Sequence, residues 1–386
     1  MLSEDVAPKA TWVTWAEVDL DALAHNVRQV KAFVGDRVEV IAVVKADAYG
    51  HGMVPVARTA LQAGATRLAV HRVQEGIVLR RAGIEAPILL LGYTPLDAVP
   101  LVVQYRLTPT VLTQAFVDVL NGLAPSGFPV HVKVDTGMGR FGLLPHEVVD
   151  FLAYVHQACP NLRVEGLYTH FATADEAETT YLRQQWAAFQ AVMARMQDAG
   201  FDIPLKHACN SAATFALPEA HLNAVRPGIA LYGMRPSLAW EAPVPLRPVL
   251  SLKSRVARVR VLPPGSSIGY GRTYVTPRAQ RVALVPVGYG DGYVRALSNK
   301  GYVLIRGKRA RILGRVSMDQ IVVDVDAIPE VAMEDEVVLI GAQGRERITA
   351  EEVAAWAGTI NYEVTTLLQP RVARFYRPAA HEDGLV

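Results

Sequence analysis

Residues 40–52 read VIAVVKADAYGHG, and the parsing of this chain turns on them. Val40, Ile41, Ala42, Val43 and Val44 form a near-continuous apolar run. That is the pattern of a strand covered on both faces. The run delivers Lys45 into a turn of small residues containing Tyr49, Gly50, His51 and Gly52. A cation at the end of a buried strand has two readings. Its stem can cover apolar surface while the amine reaches water. Alternatively the amine is partly desolvated, has a lowered pKa and is suited to forming a Schiff base with an aldehyde. Lys45 alone does not choose between them.

Working outward, similar runs recur. Strands are expected at 40–45, 67–70, 87–91, 107–111, 130–135, 164–169, 206–209 and 223–231. Helical stretches lie between them, among them 54–63, 74–82, 146–157 and 180–199. Upstream, a short strand near 12–18 precedes a helix through His25 and Phe33 that Asp19 or Asp21 can cap. Strand and helix in alternation predict a parallel sheet with right-handed crossovers. Eight strands in a span of about 225 residues favour a closed barrel over an open sheet. The fold class expected is therefore α/β, a (β/α)8 TIM-type barrel over 19–245. No GxxxxGK[ST] loop marks a nucleoside triphosphate site.

Barrel enzymes place their chemistry just beyond the carboxyl ends of the strands. Here those points carry Lys45, residues 135–140 with Arg140, His170, Asn210 with Ser211, and Arg226 with Gly228. Each has a bland reading: a structural histidine, a loop arginine, Ser211 as a helix cap. Their convergence on one rim is harder to dismiss. The set has no pairs of His, Asp or Glu at ligand spacing, so no metal site is expected.

Pro243, Pro245 and Pro248 mark a boundary. Beyond it, β-branched runs at 249–262, 279–287, 302–306, 310–313, 321–325 and 336–340 predict a mostly antiparallel β domain over 246–386. Two glycine-flanked turns there hold Tyr270 and Tyr289. Tyrosines in such turns are most often half-buried packing residues.

Composition limits the partners. The chain has 386 residues, 51% hydrophobic and 20% charged, as in a folded soluble protein. A formal charge of +2, from 39 basic and 37 acidic residues, gives no basic face for nucleic acid. Two cysteines make no disulfide framework, which fits reducing cytoplasm. The start, MLSEDVAPKA, lacks the apolar run of a signal peptide, and no segment reaches the roughly 18 apolar residues of a membrane span.

In order along the chain stand VVKADAYGHG, HVKVDTGMGRFG from His131, GLYTHFATAD from Gly166, NSAAT from Asn210 and RPGIALYG from Arg226. The second domain adds IGYGRTY, PVGYGDGY, GRVSMDQ and TINYEV. Together these nine motifs resemble alanine racemase over nearly the whole chain. The resemblance implies an isomerase that uses pyridoxal 5′-phosphate (PLP) to interconvert L- and D-alanine through an external aldimine, supplying D-alanine for peptidoglycan. Lys45 would hold PLP as an internal aldimine and then act as one base. Tyr270 would be the second base, on the other face of the substrate carbon, as inversion requires. His170, Arg226 and Asp319 would support it, with Arg226 also facing the pyridine nitrogen. Tyr49, Ser211, Gly228, Ile229 and Tyr362 would hold the phosphate, and His170 would lie against the ring. Arg140, Met318 and Tyr289 would meet the substrate. Lys133 matches a lysine that many members carry as a carbamate beside that arginine.

The resemblance also implies a head-to-tail homodimer in which Tyr270 serves the partner's barrel, and a strand at 11–18 that joins the β domain. Departures are AVHRVQEG around His71, Ser317 where cysteine is common, and Ala373 where proline is common. They leave preference among amino acids open. Rival readings are a broader amino-acid racemase, a barrel decarboxylase and a non-catalytic PLP-binding protein; the last would lack the second domain.

Overall fold

The structure is a computed structural model that describes residues 9–377. Residues 1–8, the start of the stretch read for a signal peptide, and 378–386, the end of the expected β domain, lie outside it. By internal contacts the chain divides into two compact units. One comprises Ala22–Ala48 and Gly52–Arg247; the other comprises the described parts of 1–21, 49–51 and 248–386.

The first unit is a closed barrel of eight parallel strands. They are Glu39–Val43, Arg67–Val70, Ile88–Leu90, Thr108–Val111, Phe128–Lys133, Leu162–Tyr168, Leu205–His207 and Ala224–Val225. Neighbours follow chain order, with Ile41 opposite Arg67 and Leu68 opposite Ile88. Glu39 and Val40 pair with Ala224 and Val225 to close the ring. Val40, Ile41, Ala42, Leu68, Val70 and Leu90 are fully buried. Each such Val, Leu or Ile contributes about 1.5–3 kcal/mol of burial. The outer helices show the matching stripe: Met53–Gln62 buries Val56, Ala57 and Ala60, the spacing of one helical face.

The run expected as a long strand at 223–231 is only two residues of ladder. Pro227 has no N–H to continue it, and after Gly228 the chain coils into the 3-10 turn Ile229–Tyr232. The first strand also stops two residues short of Lys45.

The second unit holds a ten-stranded sheet. In spatial order its main path runs Arg258–Leu262, Gln280–Val285, Ile321–Asp324, Lys308–Leu313, Tyr302–Ile305, Glu336–Gln343, Leu250–Arg255, Thr14–Asp19 and Ala373–Arg377. Every pairing is antiparallel except Thr14–Asp19 with Ala373–Arg377. The N-terminal strand thus sits inside this sheet. Its Glu17 carboxylate, near-buried, meets Lys253 at 3.3 Å and Arg377 at 3.2 Å, and also pairs with Lys9. Burial works against the charge, yet the hydrogen bonds from Lys9 and Trp15 and the Lys253 charge hold Glu17 down to about 2. The run at 249–262 splits where Val256 and Ala257 turn their N–H groups to the carbonyls of Asp335 and Leu284. Among the described residues no helix is long and apolar enough to cross a membrane.

Candidate active site

Lys45 opens a turn of the wrong hand. Ala46, Asp47 and Ala48 sit at φ/ψ of 53/52°, 51/46° and 53/51°, and Tyr49 follows at φ 55°. Four successive non-glycine residues in this region form a left-handed helical turn, at a cost of roughly 1–2 kcal/mol each. Side chains hold it in place. The Glu75 carboxylate accepts from the N–H of Ala46 at 2.7 Å, and from His71 and Arg72 at 2.7 and 3.0 Å. Asp47 accepts from Met53 N–H at 2.8 Å. The turn fixes where the Lys45 stem leaves the strand. Burial, then the Arg140 charge, lowers the pKa of the Lys45 amine; Glu75 opposes them.

Around the same rim, the Asp135 carboxylate accepts from the N–H groups of Gly137, Gly139 and Arg140 at 2.9–3.0 Å. It thereby shapes the loop that presents Arg140. Lys133 is buried, its ammonium lying 5.5 Å from the Phe141 ring centre and 5.9 Å from that of Tyr168. Burial first, then Arg140 and Arg226, bring its pKa down to about 8.

Asn210, not Ser211, caps the short helix Ser211–Ala216, accepting from Ala213 N–H at 3.0 Å. Ser211 is left for other work. Its Oγ accepts from Gly228 N–H at 2.9 Å and Ala230 N–H at 3.2 Å, tying the serine to the residues on either side of Ile229. Arg226 is buried, donating to the carbonyls of Thr169 (2.6 Å) and Ala208 (3.0 Å), to His207 Nδ1 (2.6 Å) and, at 3.4 Å, to His170 Nδ1. Burial and the Arg226 charge press the His170 pKa well below its usual value, so its ring is neutral.

The second unit carries the remaining residues. Tyr49 and Tyr362 lie with ring centres 6.1 Å apart. Gly50, at φ +83°, packs so tightly that a Cβ there would meet the Thr365 carbonyl oxygen at 2.0 Å. Tyr270 begins a 3-10 turn between Gly269 and Thr273 and is 72% exposed. Tyr289 and Met318 are brought together: Tyr289 N–H donates to Ser317 O and Gly290 N–H to Met318 O, at 3.1 and 2.8 Å. Met318 is exposed. Asp319 accepts from Arg371 at 2.6 Å, and Arg371 also reaches Asp291 at 2.7 Å. Sequence reasoning missed Glu75, Arg371 and His207. Glu75 had one visible sign, a carboxylate near the start of a helix at 74–82, and that was read only as amphipathic pattern.

Residues 18–236 match the family model "Alanine racemase, N-terminal domain", and residues 249–376 match "Alanine racemase, C-terminal domain". The chain belongs to the alanine racemase family. The alanine racemase of Halothermothrix orenii is 47% identical over 372 residues, 96% of this chain and 98% of the relative. That of Desulforamulus reducens is 48% identical over 369 residues, 94% and 98%. Among solved structures, an alanine racemase from Bacillus anthracis with bound L-Ala-P aligns at TM-score 0.91 and 44% identity over 96% of each chain. The chain is accordingly an isomerase, of barrel-plus-sheet architecture.

Proposed function

We propose that this member of the alanine racemase family interconverts L- and D-alanine with PLP, Lys45 and Tyr270 moving the α-proton on opposite faces. The carrying observation is the Lys45 amine. It sits at the carboxyl end of a barrel strand, with its proton loosened by burial and by Arg140. PLP, when bound, supplies an aldehyde for amines and an electron-accepting ring that acidifies the substrate α-carbon.

The donor set fits such a group. Ser211 Oγ already accepts two backbone N–H groups. Its own hydroxyl proton therefore points elsewhere and suits a phosphate oxygen. Tyr49, Tyr362, Gly228 and Ile229 complete the phosphate cradle in this reading. Arg226 is a fixed cation whose bonds here go to carbonyl and imidazole groups. Were the pyridine nitrogen to face it, its fixed charge would disfavour a proton there and so restrain side reactions. His170, kept neutral, would lie against the ring. Arg140 takes the substrate carboxylate, a bidentate task suited to a guanidinium. Lys133, about a tenth neutral at pH 7 with a pKa of about 8, is free to add carbon dioxide and become an anionic partner for Arg140. Tyr289 and Met318 line the approach, and Asp319 braces the Tyr270 side through Arg371.

The exposure of Tyr270 in the single chain supports a head-to-tail homodimer in which it serves a partner's barrel. The reading places the enzyme in the cytoplasm, making D-alanine for peptidoglycan. L-Alanine turnover in heavy water tests the assignment. Racemisation should carry deuterium into the α-position, Lys45→Ala should abolish it, and Tyr270→Phe should lose it while keeping the bound cofactor's visible absorbance. A PLP-loaded dimer that makes no D-alanine would overturn the substrate assignment. Loss of PLP from Tyr270→Phe would mean that the tyrosine binds cofactor instead of moving a proton.

A further inference from the structure

Behind Arg226 a single file of polar side chains crosses the barrel interior. Arg226 Nη1 donates to His207 Nδ1 at 2.6 Å. His207 Nε2 lies 3.0 Å from His131 Nδ1, and His131 Nε2 lies 3.3 Å from Glu165 Oε2. That oxygen accepts from Arg67 Nη1 at 3.0 Å, and Arg67 Nε in turn donates to Glu39 at 2.8 Å. The direction follows from strand positions. Arg226 and His207 stand at the carboxyl ends of their strands, His131 and Glu165 at mid-strand, and Arg67 and Glu39 at the amino ends. The file therefore runs from the catalytic mouth to the opposite end of the barrel. There a surface concavity of about 330 Å³ gives Glu165, Arg67 and Glu39 access to solvent.

Donor counting fixes the protons. A guanidinium only donates, so His207 Nδ1 must present its lone pair. A neutral His207 then carries its proton on Nε2 and donates to His131 Nδ1. His131 must likewise carry its proton on Nε2, aimed at the carboxylate of Glu165. A proton on His131 Nδ1 would turn two N–H groups against each other at His207 or at Arg226. Both imidazoles are thus neutral, with their positive ends toward Glu165 and their lone pairs toward Arg226. Burial lowers the pKa of both rings, and the Arg226 charge presses His207 further.

Gly166 makes room for this arrangement. A Cβ there would come within 2.4 Å of His131 Nδ1. Tyr168 covers the side, its ring stacked on His207 at 4.8 Å and under Arg226 at 5.0 Å.

We propose that Glu165 is the remote counter-ion of Arg226 and a positioning residue for the racemase reaction, acting through His131 and His207 in fixed tautomers. Among the described residues, Arg226 is a buried cation with no carboxylate among its hydrogen-bond partners. Such a charge is costly unless compensated. The two oriented imidazoles bring the field of the carboxylate to it, and each bond in the file polarises the next.

The test uses the full-length protein, first without and then with PLP. In the 15N spectrum of histidine-labelled wild-type protein, His131 and His207 should both show the neutral Nε2–H tautomer. Either ring cationic, or protonated on Nδ1, would overturn the proposal before any variant is made. Glu165→Gln removes the charge at nearly constant shape. It should shift the His131 Nε2 resonance, whose proton loses an anionic acceptor, leave the Arg226-fixed tautomer of His207 in place, and lower kcat by roughly tenfold, the scale of losing a partner behind a functional ligand. KM for alanine should move less than twofold, and Glu165→Asp should restore part of kcat. A Glu165→Gln protein with the wild-type histidine spectrum and unchanged kcat would overturn the role of Glu165. The kinetic arm rests on the assignment of Arg226 to the cofactor ring; the spectroscopic arm does not. A correct tautomer pattern with unaltered kinetics would therefore overturn the catalytic half and leave the electrostatic pairing.

Discussion

Lys133 makes the stability of the molecule depend on pH in a direction that can be worked out. Its amine titrates at about 8 in the folded chain against 10.5 when unperturbed, chiefly because it is buried. Below pH 8 both states hold the proton and folding bears the full burial penalty. Between about 8 and 10.5 only the unfolded chain holds it, so stability rises with pH through that window and then levels. The shift corresponds to a ceiling on the order of 3 kcal/mol. Lys133→Met in carbon dioxide-free buffer should therefore be more stable than wild type at pH 7, with the gap closing by pH 10.5. Denaturant melts at several pH values check this, and a constant gap would assign the effect to packing. Labelled bicarbonate should yield a carbamate 13C signal in wild type and none in the variant. At this scale the sequence was informative where side-chain chemistry is distinctive. Lys45, Arg140 and Arg226 were singled out from their place at or beyond the end of a strand, whereas Lys133 came only from the resemblance. Glu75 and His207 were not singled out, because their work is done on backbone groups and on other side chains remote in sequence. His131 was only the first letter of a motif.

The left-handed turn over 46–49 was not legible in the chain. Ala, Asp, Ala and Tyr carry no glycine to signal positive φ, and the flanking apolar run let Lys45 be read as strand. The turn is held because Glu75 takes up the N–H of Ala46 and Asp47 reaches out to the N–H of Met53. Glu75→Gln should loosen it and remove an anion that favours protonated Lys45. The pH profile for reaction of the Lys45 amine with an amine-directed reagent in the apo protein should then move to lower pH. A move to higher pH would show that turn geometry outweighs the charge. At the neighbouring Gly50, alanine would have to displace the Thr365 carbonyl. Gly50→Ala should destabilise by about 3 kcal/mol or more, read as a lowered unfolding midpoint. The barrel strands themselves were well anticipated because each is a short apolar run between polar turns. The exception was 223–231, where hydrophobic letters continue past Pro227 and the backbone does not.

At the scale of the molecule, the proposed exchange of Tyr270 between subunits gives a mixing experiment. Lys45→Ala and Tyr270→Phe proteins, each inactive, are dissociated and reassociated together. About half of the dimers are then mixed, and each mixed dimer regains one intact site, so about a quarter of wild-type sites should return. No recovery, with mixed dimers verified by mass, would place both residues in one chain's site. The two-unit organisation was visible in the change from alternating strand and helix to β-branched runs. The insertion of Thr14–Asp19 into the sheet came from the resemblance, since a six-residue strand does not announce its partner.

The file of side chains inside the barrel bears on how such a protein can change. Arg226, His207, His131, Glu165 and Arg67 each depend on a neighbour's donor or acceptor, so replacing one strands the next. Stepwise drift toward a greasy interior would pass through intermediates worse than either end. Related chains should therefore keep this set or exchange it wholesale. A designer moving the catalytic rim onto another barrel would have to transplant the axis beneath it as well.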